Sequence, residues 1–139
     1  MKVRDIMANN VTCISHKASL KDAHELMQTR GVRHLPVISE LDGTLVGILT
    51  HKKMISTIMF MIHKYGTNIL ARKERSQLIE DLMDTDFQKL TEDEPLNIVV
   101  EYFIDNKLGC LPVIDNENKV IGIVTSSDFV KLCAHLLNK

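Results

Sequence analysis

Apolar residues along this chain recur at two spacings, one of two residues and one of three to four, and the order in which the spacings alternate occurs twice. Residues 11–15 read as a short strand, after which Ser19 can cap a helix with Asp22 at the capping-box distance. Ala23, Leu26 and Met27 follow at helical spacing, and Gly31 suits the left-handed residue that ends such a helix. Residues 35–38 and 44–49 are β-rich and joined through Asp42 and Gly43, a hairpin signal. A last helix begins after Thr50. The second half runs the same way. Pro95 suits a first helical turn, and Ile98, Val99, Tyr102 and Phe103 form an inward face. Two further strands turn at Asn116, Glu117 and Asn118, and a helix starts after Thr125. The pattern predicts an α/β (α+β) fold made of β-α-β-β-α twice. A half of about 60 residues is marginal alone, so the halves are expected to pack together.

The repetition is visible residue by residue. Leu35, Pro36, Val37 and Ile38 reappear as Leu111, Pro112, Val113 and Ile114, and Asp5, Ile6 and Met7 as Asp81, Leu82 and Met83. Ser19 and Leu20 correspond to Pro95 and Leu96. From Gly47 and Gly122 onward the offset drops by one, which places a deletion in the second hairpin turn. Repeat one is read as residues 1–63, repeat two as residues 78–139, and residues 64–77 as a linker.

Composition narrows the partners. The net charge is -1 at pH 7 and the basic residues form no single block, which leaves a nucleic-acid surface unsupported. The longest apolar stretch, residues 54–62, is far short of the roughly 20 residues that span a bilayer. Residues 1–7 lack the charged and apolar regions of a signal peptide, and Cys13, Cys110 and Cys133 form no CxxC pair. A cytoplasmic protein with structural thiols is expected. His16, His24, His34, His51, His63 and His135 have no metal-ligand spacing, and no GxSxG, Walker A or GxGxxG motif occurs. No catalysis, no metal and no required cofactor are predicted. Cys110 is the thiol to examine.

With Asp-hydrophobic-Met, Ser/Pro-Leu, Leu-Pro-Val-Ile and Gly-hydrophobic-hydrophobic-Thr in order, twice, the chain resembles a stand-alone tandem CBS-domain protein, or Bateman module. The resemblance covers nearly its whole length and implies two repeats packed by pseudo-twofold symmetry. It also implies a regulatory module that homodimerises through the helices after Thr50 and Thr125. The ligand it implies is adenosyl: AMP, ADP, ATP or S-adenosylmethionine. Two composite clefts follow from it. The first joins Met7, Thr12, Val32, Arg33 and His34 to Ile123, Thr125, Ser127 and Asp128. The second joins Ile48, Thr50 and Lys53 to Met83, Gln88, Leu108, Gly109 and Cys110.

Chemistry separates the two clefts. An ionised Asp128 is acceptor-only and can take hydrogen bonds from both hydroxyls of a ribose, which Lys53 cannot. Thr125 opens a helix whose free N–H groups favour a phosphate, and Arg33 offers a planar fork for the same group. Ile123, Val32 and the Thr12 methyl suit an adenine slot. Two readings of Thr125 to Asp128 coexist, since the same residues form an ordinary capping box; Arg33 and His34 read equally as a solvated loop. Lys52 and Lys53 oppose the helix dipole by roughly a few tenths of a kcal/mol each, so the second cleft is empty or takes phosphates, unless these are simply solvated lysines. One nucleotide site per chain is expected.

The apolar helix at residues 54–62 is predicted to be buried, in a homodimer or in the chain's own core, and residues 64–75 read as a mobile linker. The competing function is a ligand-free dimerisation or protein-docking domain. The regulated partner is not legible.

Overall fold

The capping and turn signals act where the sequence places them. The structure, a computed structural model, describes residues 1–105 and 109–139. The chain divides into two units, Thr12–Phe87 on one hand and Met1–Val11 with Gln88–Lys139 on the other.

In the Thr12–Phe87 unit, β1 (Ile14–Ser15), α1 (Leu20–Arg30), β2 (His34–Ile38), β3 (Leu45–Thr50), α2 (His51–Tyr65) and α3 (Leu70–Ser76) follow in order. The sheet runs β1-β2-β3, with β1 parallel to β2 and β2 antiparallel to β3. Ser19 Oγ accepts from Asp22 N at 3.2 Å and Asp22 Oδ2 from Ser19 N at 3.0 Å, so the predicted box starts α1. Gly31 ends it at φ 65° in the left-handed region. The face so fixed, Leu20, Ala23 and Met27, is buried with Leu35, Val37, Leu49, Met54, Met61 and Ile79.

The other unit holds α4 (Leu96–Asp105), β4 (Cys110–Ile114), β5 (Val120–Thr125) and α5 (Ser126–Leu137), with β4 antiparallel to β5. A single parallel bridge, Leu90 to Val113, stands where the first repeat has β1, at the same offset of 76 as Ile14 to Val37. Val3, Leu90, Leu96, Val99, Leu111, Val113 and Val124 form its core. Phe103 meets Phe129 edge to face, centroids 5.2 Å apart.

The repeats exchange their leading segments. Val3 N donates to Glu94 O at 3.0 Å, and Leu96 N to Met1 O at 3.1 Å; 76 residues on or back, Ile79 N donates to Ala18 O at 2.9 Å and Leu20 N to Gln77 O at 2.8 Å.

Three expectations need correction. Residues 70–76 are helical rather than a mobile linker: Ala71, Arg72, Lys73 and Glu74 are strong helix formers, and α3 packs on α1 and α2 through Leu70. The helix at residues 54–62 is not buried all round. Met54 and Met61 are buried in the core and Ile58 packs half-buried against it, while Met59 is 65% and Phe60 59% exposed. Ile98 is exposed as well, because Val99 and Leu96 take the inward positions of α4.

Candidate functional site

The Gly-hydrophobic-hydrophobic-Thr segment ends each hairpin at the start of a helix. In β5 the glycine is needed for close approach: a Cβ on Gly122 would lie 2.6 Å from Met7 Sδ and 3.2 Å from Ala8 O. Met7 packs there because Ala8 pairs with Ile123 in both directions, N to O at 2.9 Å and O to N at 3.0 Å. Two residues on, Thr125 opens α5. Asp128 Oδ2 accepts from Thr125 N at 2.8 Å and from Thr125 Oγ1 at 3.3 Å, and the Thr125 and Ser127 hydroxyls are 2.7 Å apart. Asp128 is half-buried, Ser127 exposed. The capping box is therefore formed, and it holds the carboxylate through one oxygen in the first turn of α5. Met7, Ile123, Thr125, Ser127 and Asp128 thus lie in one unit, as do Gly109, Cys110 and Gln88. Gly109 O accepts from Ser126 N at 3.3 Å, and Cys110 pairs with Thr125 in the ladder. Leu108 lies outside the described residues.

The Thr12–Phe87 unit repeats this with different chemistry. Gly47 meets Met83, its Cβ position 2.5 Å from Met83 Sδ, and Ile48 pairs with Asp84 in both directions at 3.0 and 2.8 Å. Thr50 Oγ1 accepts from Lys53 N at 3.1 Å, so the helix is capped on one side only; lysine at this position returns no carboxylate. Ile48, Thr50, Lys53, Leu82, Met83 and Asp84 line a cavity of about 330 Å³. Asp84 was not legible as a site residue. Its signal is its alignment with Ala8 at the repeat offset, which puts a carboxylate on the residue that pairs with Ile48, in the cavity that Lys53 also lines. Thr12, Val32, Arg33 and His34 belong to this unit too. His34 faces Thr50 across the ladder, Arg33 O accepts from His51 N at 2.8 Å, and the Arg33 side chain is exposed. Burial, and then the positive charge of Arg33, hold the His34 imidazole below its usual range, so it is neutral at pH 7.

Cys110 is buried, and burial pushes its thiol up to about 12. It is a core side chain and not a nucleophile. Among the described residues no group of three or more His, Cys, Asp or Glu could hold a metal, and no helix is long and apolar enough to cross a membrane.

Two hairpins of equal register, each ending at a threonine-capped helix and each covered by a methionine from the same motif, form a duplicated unit that matches a known family twice. The model of the CBS domain fits residues 3–59 and 79–135. The chain belongs to the CBS-domain family. Relatives of this CBS pair include an uncharacterized protein of Methanocaldococcus jannaschii, 30% identical over 135 residues, or 95% of this chain. The chain spans 47% of that relative's length. Among solved structures, the CBS domain pair of protein MJ0100, in complex with 5′-methylthioadenosine and S-adenosyl-L-methionine, is similar with a TM-score of 0.78 and 26% identity, over 97% of both chains. CBSX2 of Arabidopsis thaliana in complex with AMP gives a TM-score of 0.80 at 26% identity, again over 97% of both chains.

Proposed function

We propose that this CBS pair is a non-catalytic regulatory module that binds an adenosyl ligand, AMP, ADP, ATP or S-adenosylmethionine, with Asp128 as the ribose acceptor. The observation that carries this reading is the Asp128 carboxylate, fixed by Thr125 through Oδ2 in the unit where Met7 packs on Gly122 and Ala8 pairs with Ile123. Fixing one oxygen removes side-chain freedom in advance, so the ligand meets an oriented acceptor at low entropic cost. Ile123 and Met7 supply apolar surface for a purine, and the N–H groups that open α5 favour a phosphate. The similar CBS pairs that hold AMP, methylthioadenosine and S-adenosylmethionine support the same ligand class, since adenosine is the part these molecules share.

The Thr12–Phe87 unit carries Lys53 where the other has Asp128, so a ribose is not held there in the same way. One adenosyl site per chain is the consequence. A second reading, a protein-docking or dimerisation domain without ligand, draws on the exposed apolar residues of α2 and α5, and we propose homodimerisation through these helices as part of the same module. Three free thiols fit a reducing, cytoplasmic setting.

Thermal unfolding of wild type and Asp128→Ala with AMP, ADP, ATP and S-adenosylmethionine tests the reading. At about 100 times its dissociation constant a ligand adds roughly 2.7 kcal/mol, a rise in midpoint of several degrees. The rise is expected for wild type and is expected to shrink sharply in Asp128→Ala. No rise with any ligand favours the docking reading, and an equal rise in both proteins removes Asp128 from the site.

A further inference from the structure

The largest cavity described in the Thr12–Phe87 unit, about 480 Å³, lies between α2 and α3 and is within the size range of small-molecule sites. Much of its wall comes from outside both matched repeats: Tyr65, Lys73, Ser76 and Gln77 fall between residue 59, where the first match ends, and residue 79, where the second begins. The cavity is therefore walled largely by the segment that joins the two repeats. On α2 its wall takes in the stripe Lys53, Thr57 and Met61, spaced four apart, with Ser56, Phe60 and Tyr65 beside it. Ile55, Met59 and Ile62 lie on a different face of the same helix.

The charges in this wall are all positive. Lys53 and Lys73 line the cavity, and among the described residues neither ammonium has a carboxylate within 4.0 Å. Lys73 Nζ is held 4.2 Å from the centre of the Tyr65 ring, and Lys64 Nζ lies 5.3 Å from it. Residues 51–77 carry Lys52, Lys53, Lys64, Arg72, Lys73 and Arg75 against Glu74 alone, and Glu74 lies 3.8 Å from His24 with its side chain 12% exposed. Apolar side chains share the lining with the cations: Phe60 and Tyr65, Met61, which is buried, and Leu82, which is half-buried. The smaller cavity, which shares Lys53 and Leu82, contains Asp84 and is the poorer place for an anion.

From this arrangement we infer that the α2–α3 cavity binds a small organic anion with a flat apolar body, its charge held by Lys53 and Lys73 and its body laid on Met61 and Leu82. Two ammoniums without a carboxylate partner in one concave wall attract an anion more strongly than either alone, and the apolar side chains in that wall select against a bare inorganic ion. The inference stands apart from the adenosyl reading, because none of these residues belongs to the unit that holds Asp128.

The test is a titration of the Asp128→Ala protein with 1-naphthyl phosphate, followed through backbone amide NMR. Saturable shifts are expected at Tyr65, Lys73 and Gln77, with affinity at least about tenfold lower in Lys73→Gln and in Lys53→Gln, and within about twofold of the starting protein in Lys52→Gln. Neutral 1-naphthol and inorganic phosphate alone are expected to bind more weakly than the naphthyl phosphate. Both lysines are surface residues whose replacement leaves the core intact, and the unshifted amides of α1 check the fold. The inference is overturned by the absence of saturable shifts at those residues. It is equally overturned by Lys73→Gln and Lys53→Gln binding as tightly as Lys52→Gln, or by naphthol binding as tightly as its phosphate.

Discussion

At the scale of single residues, two methionines and two glycines explain why the repeated motifs have the letters they have. Met7 occupies the space a side chain at Gly122 would need, and Met83 does the same at Gly47. Alanine at either glycine would force the methionine out and with it the paired backbone of Ala8 or Asp84. The site residues hang from this contact. Asp128 stands in the first turn of the helix that follows β5, and its capping bonds to Thr125 use Oδ2, so the ribose contact proposed for it calls on the other oxygen. Cys110 shows the opposite outcome. With its thiol raised to about 12, roughly one molecule in ten thousand is thiolate at pH 8. Iodoacetamide at that pH is expected to label exposed Cys133 quickly and Cys110 only on unfolding; equal labelling rates under native conditions would show that Cys110 is not held in the core. The motif letters were legible in the sequence, and so was the Thr125–Asp128 capping box. Asp84 was not, because a carboxylate one residue past a motif carries no signal until strand pairing places it opposite Ile48.

At the scale of elements, local chemistry decided more than hydrophobic count. The Ser19–Asp22 box and Gly31 set both ends of α1 in sequence and structure alike, because caps act within a few residues. The strands were legible for the same reason, as buried β-branched runs bounded by Asp42 and Gly43 or by Asn118, which sits at φ 61°. What local pattern did not reveal was how much of a helix face would be covered. Residues 54–62 look apolar all round, but α2 meets the core through Met54, Ile58 and Met61, which leaves Ile55, Met59 and Ile62 exposed. That stripe is the surface for the proposed homodimer. Size-exclusion with light scattering is expected to give a dimer for wild type at micromolar concentration and a monomer for Met59→Lys, since a buried charge without a partner opposes association. A wild-type monomer would end the dimer proposal. Likewise α3 was hidden, because its helix formers are charged and its one anchor, Leu70, gives no period.

At the scale of the whole chain, duplication produced equal folds with unequal chemistry. Each unit takes a 3-10 turn, Val3–Asp5 or Ile79–Asp81, from the other repeat, through the same hydrogen bonds at a constant offset. Yet the position that returns a carboxylate in α5 returns an ammonium in α2. The duplication could be read from several short motifs recurring in one order; the exchange of leading segments could not, since hydrophobic pattern does not say which partner an edge segment joins. The account therefore turns on whether the Asp128 carboxylate binds ribose. Calorimetric titration of wild type and Asp128→Ala with AMP and with 2′-deoxy-AMP measures this directly, as a cycle over one carboxylate and one hydroxyl. A hydrogen bond to a charged group is worth about 1.5–3 kcal/mol, so wild type is predicted to prefer AMP by at least about tenfold and Asp128→Ala to bind both nucleotides alike. Equal binding of the two nucleotides by wild type, or a preference that survives Asp128→Ala, would contradict it.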